Sequence, residues 1–262
     1  MTPEAGTMER WAWDYVHADT LAAKLEPPPR PDRWETAPPP RPSIRPGRPP
    51  ELRSLERPPK TPKAGALVDP SKRAQLVHTF FHHELQAAEL MCWALLAFPD
   101  TPRAFRRGLT HIALDEVRHM RLYADHLERL GFAVGDFGVR DWFWERVPSV
   151  SEPAAFVALL GIGFEGANLD HTERFARLFR DVGDEEGARL QELVGREEEP
   201  HVRFAIHWFE HFAGGLEWER WRTHLPAPLT PIVMRGKPVV RESRRRVGMS
   251  EAFIDALESY VP

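Results

Sequence analysis

The sequence has one cysteine in 262 residues, Cys92 inside the apolar run "ELMCWALLAF". No intrachain disulfide can form, and a reducing cytoplasm is the expected setting. No export is expected either, since "MTPEAGTMERWAWDYV" has no basic stretch followed by an apolar one. No apolar run approaches the ~20 residues of a membrane span, so no membrane partner is expected. Neither sign of charge dominates. The formal net charge of −4 offers nucleic acid no global attraction, and nucleic acid is not expected as a partner. The run "RESRRR" at 241–246 is the local exception, read mainly as a solvated surface. Strand signal is almost absent between residues 70 and 215.

Proline, by contrast, is plentiful and unevenly spread. Fourteen of the 26 prolines fall between Pro27 and Pro62. Proline at this density removes amide donors and forbids helix, which predicts an extended, polyproline-like arm over 26–69. Ahead of it, residues 1–25 predict one short helix whose Trp11 and Trp13 need cover, and the arm is expected to strap that helix onto the body.

From 70 to 215 the pattern is helical, and 42% hydrophobic residues suffice for a core. Cap and breaker signals place four helices, at about 71–98, 102–130, 153–180 and 185–212. At 1.5 Å per residue each is about 42 Å long. Short turns at "PDTP" and "DVGD" make two antiparallel hairpins, and the aromatic stretch 131–152 is long enough to cross between them. The expected fold class is all-α: a four-helix bundle with a Pro-rich arm, followed by a 216–262 extension that ends in a short helix capped by Ser250.

Within this frame "LDEVRHM" and "EEEPHVRF" stand out. Of the twelve histidines, only His119 and His201 have a glutamate three residues before them, Glu116 and Glu198. Folding each hairpin about its turn brings Glu84 level with Glu116 and Glu165 level with Glu198. Glu84 shares a helical stripe with Val77, Phe81, Ala88, Met91 and Leu95, and Glu165 with Ala158, Ile162, Leu169 and Ala176. Four carboxylates facing one core would repel each other strongly unless cations neutralised them, and two divalent metals would do so.

A glutamate from each of two helices and Glu-x-x-His from the other two is the pattern of ferritin-like di-iron and di-manganese carboxylate proteins. The sequence resembles that superfamily over about 70–214. "HELQA" resembles the first-helix ligand segment of ferritins, and "DEVRH" is similar to a segment of bacterial di-iron monooxygenases. The run of "HHELQAAEL", "DEVRHMRLYADHLERLG", "GDF", "FEGANLDH" and "EEEPHVRFAIHWF" most resembles an uncharacterised bacterial ferritin-like family, distantly similar to di-iron tRNA hydroxylases, and continues to about 250. The resemblance implies Glu84, Glu116, His119, Glu165, Glu198 and His201 as metal ligands, the four glutamates being the catalytic set. It implies Asp115 as the acceptor behind a ligand imidazole, with Glu197 in the equivalent place. Pro200 departs from the pattern and predicts a bend beside His201.

Several features keep two readings. Glu89 and Asp170, each five residues after the single glutamate of its half, read as extra ligands or pocket acids, or as a partly exposed helix face. Tyr123, one turn beyond His119, reads as a core residue or as a radical tyrosine like that of ribonucleotide reductase small subunits. Gly161, Gly163 and Gly166 signal close helix packing or space beside Glu165. "HWFEH" at 207–211 has zinc-peptidase spacing but lies off the metal face.

The function expected is an oxygen-activating oxidoreductase with two iron ions (Mn/Fe and Mn/Mn as alternatives). It would act on dioxygen and a small organic substrate, with an electron-donor protein, as a monomer or homodimer. Iron handling by ferroxidase, peroxide-scavenging or storage activity is the alternative, and tRNA hydroxylation a lesser one.

Overall fold

In the computed structural model, residues 1–52, 54–57 and 60–261 are described; Arg53, Pro58 and Pro59 of the expected arm lie outside them. The architecture is all-helical, and among the described residues extended pairing is confined to an isolated bridge between Ser54 and Val139. No described helix is long and apolar enough to cross a membrane. The chain divides into two compact units, Met1–Pro148 and Ser149–Pro262.

The first unit is built on a hairpin of α3 (Pro70–Ala97) and α4 (Arg103–Arg129). Helix α3 starts where the side chain of Asp69 accepts the Ser71 amide, with Pro70 supplying a preset φ in the first turn. Its apolar positions, among them Phe81, Leu85 and Ala88, are fully buried. The single helix expected before the arm is two, α1 (Met8–His17) and α2 (Leu21–Leu25). Thr20 causes the division: in an extended conformation, its hydroxyl accepts the Ala23 amide and starts a new helix.

The arm packs against this unit. A proline-rich backbone has few amides, so indole and guanidinium donors tie it down. Trp93 Nε1 donates to the Pro42 carbonyl at 2.9 Å, Trp11 Nε1 to Pro28 at 2.8 Å, and the Arg41 amide to Leu96 at 2.8 Å. Gly47 passes so close to the end of α1 that a Cβ there would lie 2.4 Å from the His17 carbonyl oxygen.

Beneath the arm lies a buried ion cluster. Glu89 receives Lys24 Nζ at 2.8 Å, Arg48 Nη1 at 2.6 Å and Trp144 Nε1 at 2.7 Å. Lys24 also donates to the Tyr15 and Val16 carbonyls in the last turn of α1, where the helix dipole favours a cation. Burial lowers the Lys24 pKa against the pull of Glu89. Arg48 continues to Asp141, which in turn meets His82 Nε2 at 3.1 Å.

A second buried imidazole supports the start of the crossover. The Gly135 amide donates to His78 Nε2 at 2.8 Å. Burial, aided by neighbouring His82, lowers the His78 pKa from 6.5 to about 4. The unfolded chain therefore binds this proton first as pH falls, so the stability held above pH 6.5 is lost between there and about pH 4. The loss is expected to be about 3 kcal/mol, carried by His78. Urea unfolding at pH 7 and pH 4.5 would show it as a pH dependence that shrinks in His78→Gln; an unchanged dependence would place the acid sensitivity elsewhere.

In the second unit the helix expected over 153–180 is not continuous α-helix. A short α5 (Pro153–Phe156) passes into a π-helical stretch, Val157–Glu165, and then α6 (Gly166–Asp181). Helix α7 (Glu185–Ala213) folds back along it, capped by Asp184 at one end and closed by Gly214 at φ +88°. Its assignment runs through Pro200 without a break. Two of the glycines of "GIGFEGAN" serve close packing: a Cβ on Gly161 would meet that of Ala205 and one on Gly163 would meet Met234 Sδ, whereas one on Gly166 would make only ordinary contacts.

The extension adds α8 (Trp218–Thr223), α9 (Arg241–Arg246) and α10 (Glu251–Ser259), the last capped by Ser250 as expected. The stretch before α9 contains a 3₁₀ turn at Pro231–Met234. The basic run is only partly solvated surface. Arg241, Arg245 and Arg246 pair outside with Glu251 and Glu199, whereas Arg244 is fully buried against Asp170.

Candidate metal centre

Each hairpin carries its three expected ligands on buried turns of helix. In the first unit α3 positions Glu84, and α4 positions Glu116 and His119 one turn apart. One ligand atom from each lies within 4.8 Å of the others, and His119 and Glu116 have no exposed surface. His119 Nδ1–H donates to Glu116 Oε2 at 3.0 Å and stands 3.9 Å from Glu84 Oε2. Burial disfavours the imidazolium, but the two carboxylates outweigh it and hold the His119 pKa well above the ordinary histidine range.

The second unit repeats the arrangement with one addition. Glu165 ends the π-helical stretch, and Glu198 and His201 lie on α7, all three buried. His201 Nδ1–H donates to Glu198 Oε2 at 3.2 Å. Asn168, one turn past Glu165, spans both acids, its Nδ2 lying 3.3 Å from Glu165 Oε2 and 3.4 Å from Glu198 Oε1. Sequence reasoning passed over Asn168, although its i+3 spacing from Glu165 was a usable signal.

The other candidates separate. Asp115 is exposed and Glu197 half-buried. Tyr123 is buried, its ring 5.7 Å from that of Phe80. Neither Glu89 nor Asp170 lies on an exposed face. Glu89 belongs to the ion cluster under the arm. Asp170 accepts Arg244 Nη2 at 2.7 Å together with the Gly236 and Val240 amides at 2.8 and 2.7 Å.

The donor set of the first unit suits a cation. Two carboxylates and an imidazole, close together and out of water, are the ligand types that iron, manganese and zinc accept, and a divalent ion would offset the charge that burial makes expensive.

These observations define a class: an all-helical protein with a buried group of glutamate and histidine side chains that can hold a metal ion. The chain belongs to the family described as "Protein of unknown function (DUF455)", which matches residues 7–255. It is also similar to an uncharacterized protein of Haemophilus influenzae, 24% identical over 229 residues that cover 81% of this chain and 79% of that protein. No solved structure matches it.

Proposed function

We propose that the chain is a two-metal carboxylate protein of ferritin-like architecture that uses dioxygen to oxidise a small organic substrate. The observation that carries this reading is the buried trio Glu84, Glu116 and His119, with ligand atoms within 4.8 Å of one another. Glu165, Glu198 and His201 repeat the same residue types at the same spacing, and the chain thus has the six donor side chains that such a metal pair takes. Held by this set, a pair of ferrous ions would supply the electrons for the reduction of dioxygen. The chain's own part is to hold and insulate: the carboxylates provide the negative charge, the imidazoles turn Nδ1 toward them, and Asn168 orients Glu165 and Glu198. Iron is the metal proposed, with manganese as the alternative at either position.

Metal content per chain provides the test, on wild type and on Glu116→Ala and Glu198→Ala, from cells grown with iron and manganese. About two ions in wild type, lost in both variants, is the expected result. A folded wild type without metal would sink the proposal. Wild type that binds iron but consumes no dioxygen in the presence of reductant would sink its oxidative half.

A further inference from the structure

A concavity of about 290 Å³ lies in the first unit, away from the buried carboxylates, where the beginning of the arm crosses α4. Arg30, Arg107 and His111 line it, with Met8, Pro31 and Trp34 on its less polar side. Three arginines nearby are neutralised, Arg33 by Glu4 at 2.7 Å, Arg106 by Glu9 at 2.6 Å and Arg10 by Asp14 at 2.7 Å, while Arg103 stacks on the Trp34 ring. Those in the concavity are not neutralised. Arg30 is held by a neutral group, donating from Nη1 to the Thr110 hydroxyl at 2.7 Å. Among the described residues the Arg107 guanidinium has neither a carboxylate nor a hydrogen-bonding partner, its carbonyl alone accepting the Thr110 hydroxyl, and the His111 ring, one turn along the same face of α4, has none either. Asp32 is the carboxylate in the lining, and it forms no ion pair with them. On the far side of His111, Asp115 is the nearest acid on α4.

We propose that this concavity binds the phosphate group of a small phosphorylated organic molecule. Two guanidinium groups gathered at one hollow repel each other, and an anion shared between them, with the imidazole as a further hydrogen-bond donor, removes that cost. Phosphate suits them better than a monocarboxylate because its charge and three terminal oxygens can engage several planar donors together. Arg30 is already oriented by Thr110, so less side-chain freedom is lost on binding. The size lies near the lower end of metabolite pockets, leaving room for an organic group against Met8, Pro31 and Trp34. The lower pKa of His111 agrees: burial is the first cause, and Arg30 and Arg107 add to it through positive potential.

The test is calorimetric titration of the full chain with phenyl phosphate, with benzoate, and with a short single-stranded RNA. Saturable binding of phenyl phosphate is expected, at least about tenfold tighter than benzoate, and weakened about tenfold by Arg107→Gln. His111→Gln should weaken it less, and Arg189→Gln, an exposed change on α7, should not alter it. Arg107 and His111 are both exposed, so an unchanged melting temperature will show that these variants fold. Glu116→Ala should bind phenyl phosphate as wild type does, which keeps this result separate from the metal reading. Absence of saturable binding to folded wild type, or binding indifferent to Arg107→Gln, would overturn the proposal. So would RNA that binds more tightly than phenyl phosphate and competes with it through Arg107, since the hollow would then serve a nucleic-acid backbone.

Discussion

Replacing Asp170 by alanine is expected to cost about 3–5 kcal/mol of stability, because it leaves a guanidinium in the interior with no opposite charge. Arg244 has no exposed surface, and its Nη2 is shared among Asp170, the Gly166 carbonyl and the Met234 carbonyl. Without the carboxylate, the Gly236 and Val240 amides also lose their acceptor, so the return of the extension onto α6 is no longer fixed. Equilibrium urea unfolding followed by circular dichroism measures the loss. Asp170→Asn with Arg244→Met removes the orphaned charge and keeps an oxygen for one of the two amides. That double variant should recover more than half of the loss. A single variant within about 0.5 kcal/mol of wild type would mean that water reaches Arg244 and that the pair is not a true buried one.

Glu89→Ala should have a loss of the same order, about 3–5 kcal/mol at neutral pH, with a different signature. Arg48 keeps Asp141, but Lys24 is left with carbonyl oxygens alone in a site that already lowers its pKa from 10.5. A lysine whose folded pKa is depressed takes up its proton first in the unfolded chain. The deficit of the variant should therefore shrink as pH rises through 10.5, above which Lys24 is neutral in both states. Glu89 also joins α2, the arm and Trp144 to α3, so proteinase K should cut the arm sooner in the variant. Equal cutting in variant and wild type would show that the indole and backbone bonds hold the arm unaided.

Much of the helical framework was legible because the chain marks its helix ends chemically. Asp69 and Pro70 open α3, Asp184 opens α7 and Gly214 closes it, and these signals depend only on local backbone chemistry. The π-helical stretch was not legible. "VALLGIGFE" is apolar up to its last residue, Glu165, so no polar residue inside it has a phase that would betray a wider turn, and a 3.6-residue count carried across it misplaces Ala158 and Ile162 relative to Glu165. Thr20 was a readable N-cap, but the aromatic run before it suggested a single helix. Arg244 was hidden among exposed arginines: only the fold reveals that one of four turns inward to Asp170. In the candidate site, the Glu-x-x-His spacing was legible as pattern, whereas the role of Asn168 depends on how close α6 comes to α7.

The contact between the two ends of the first unit also sets a schedule for synthesis. Glu9 is wholly buried, and its guanidinium partner, Arg106, lies 97 residues further along the chain. At ribosomal speed that partner follows roughly 5–20 s later, with α3 in between. Through that interval α1 has been made but its cover has not, and the apolar face of Trp11, Tyr15 and Val16 is open to whatever waits at the ribosomal exit. The long proline arm, poor in amide donors, offers this early segment few backbone partners until α3 and α4 arrive.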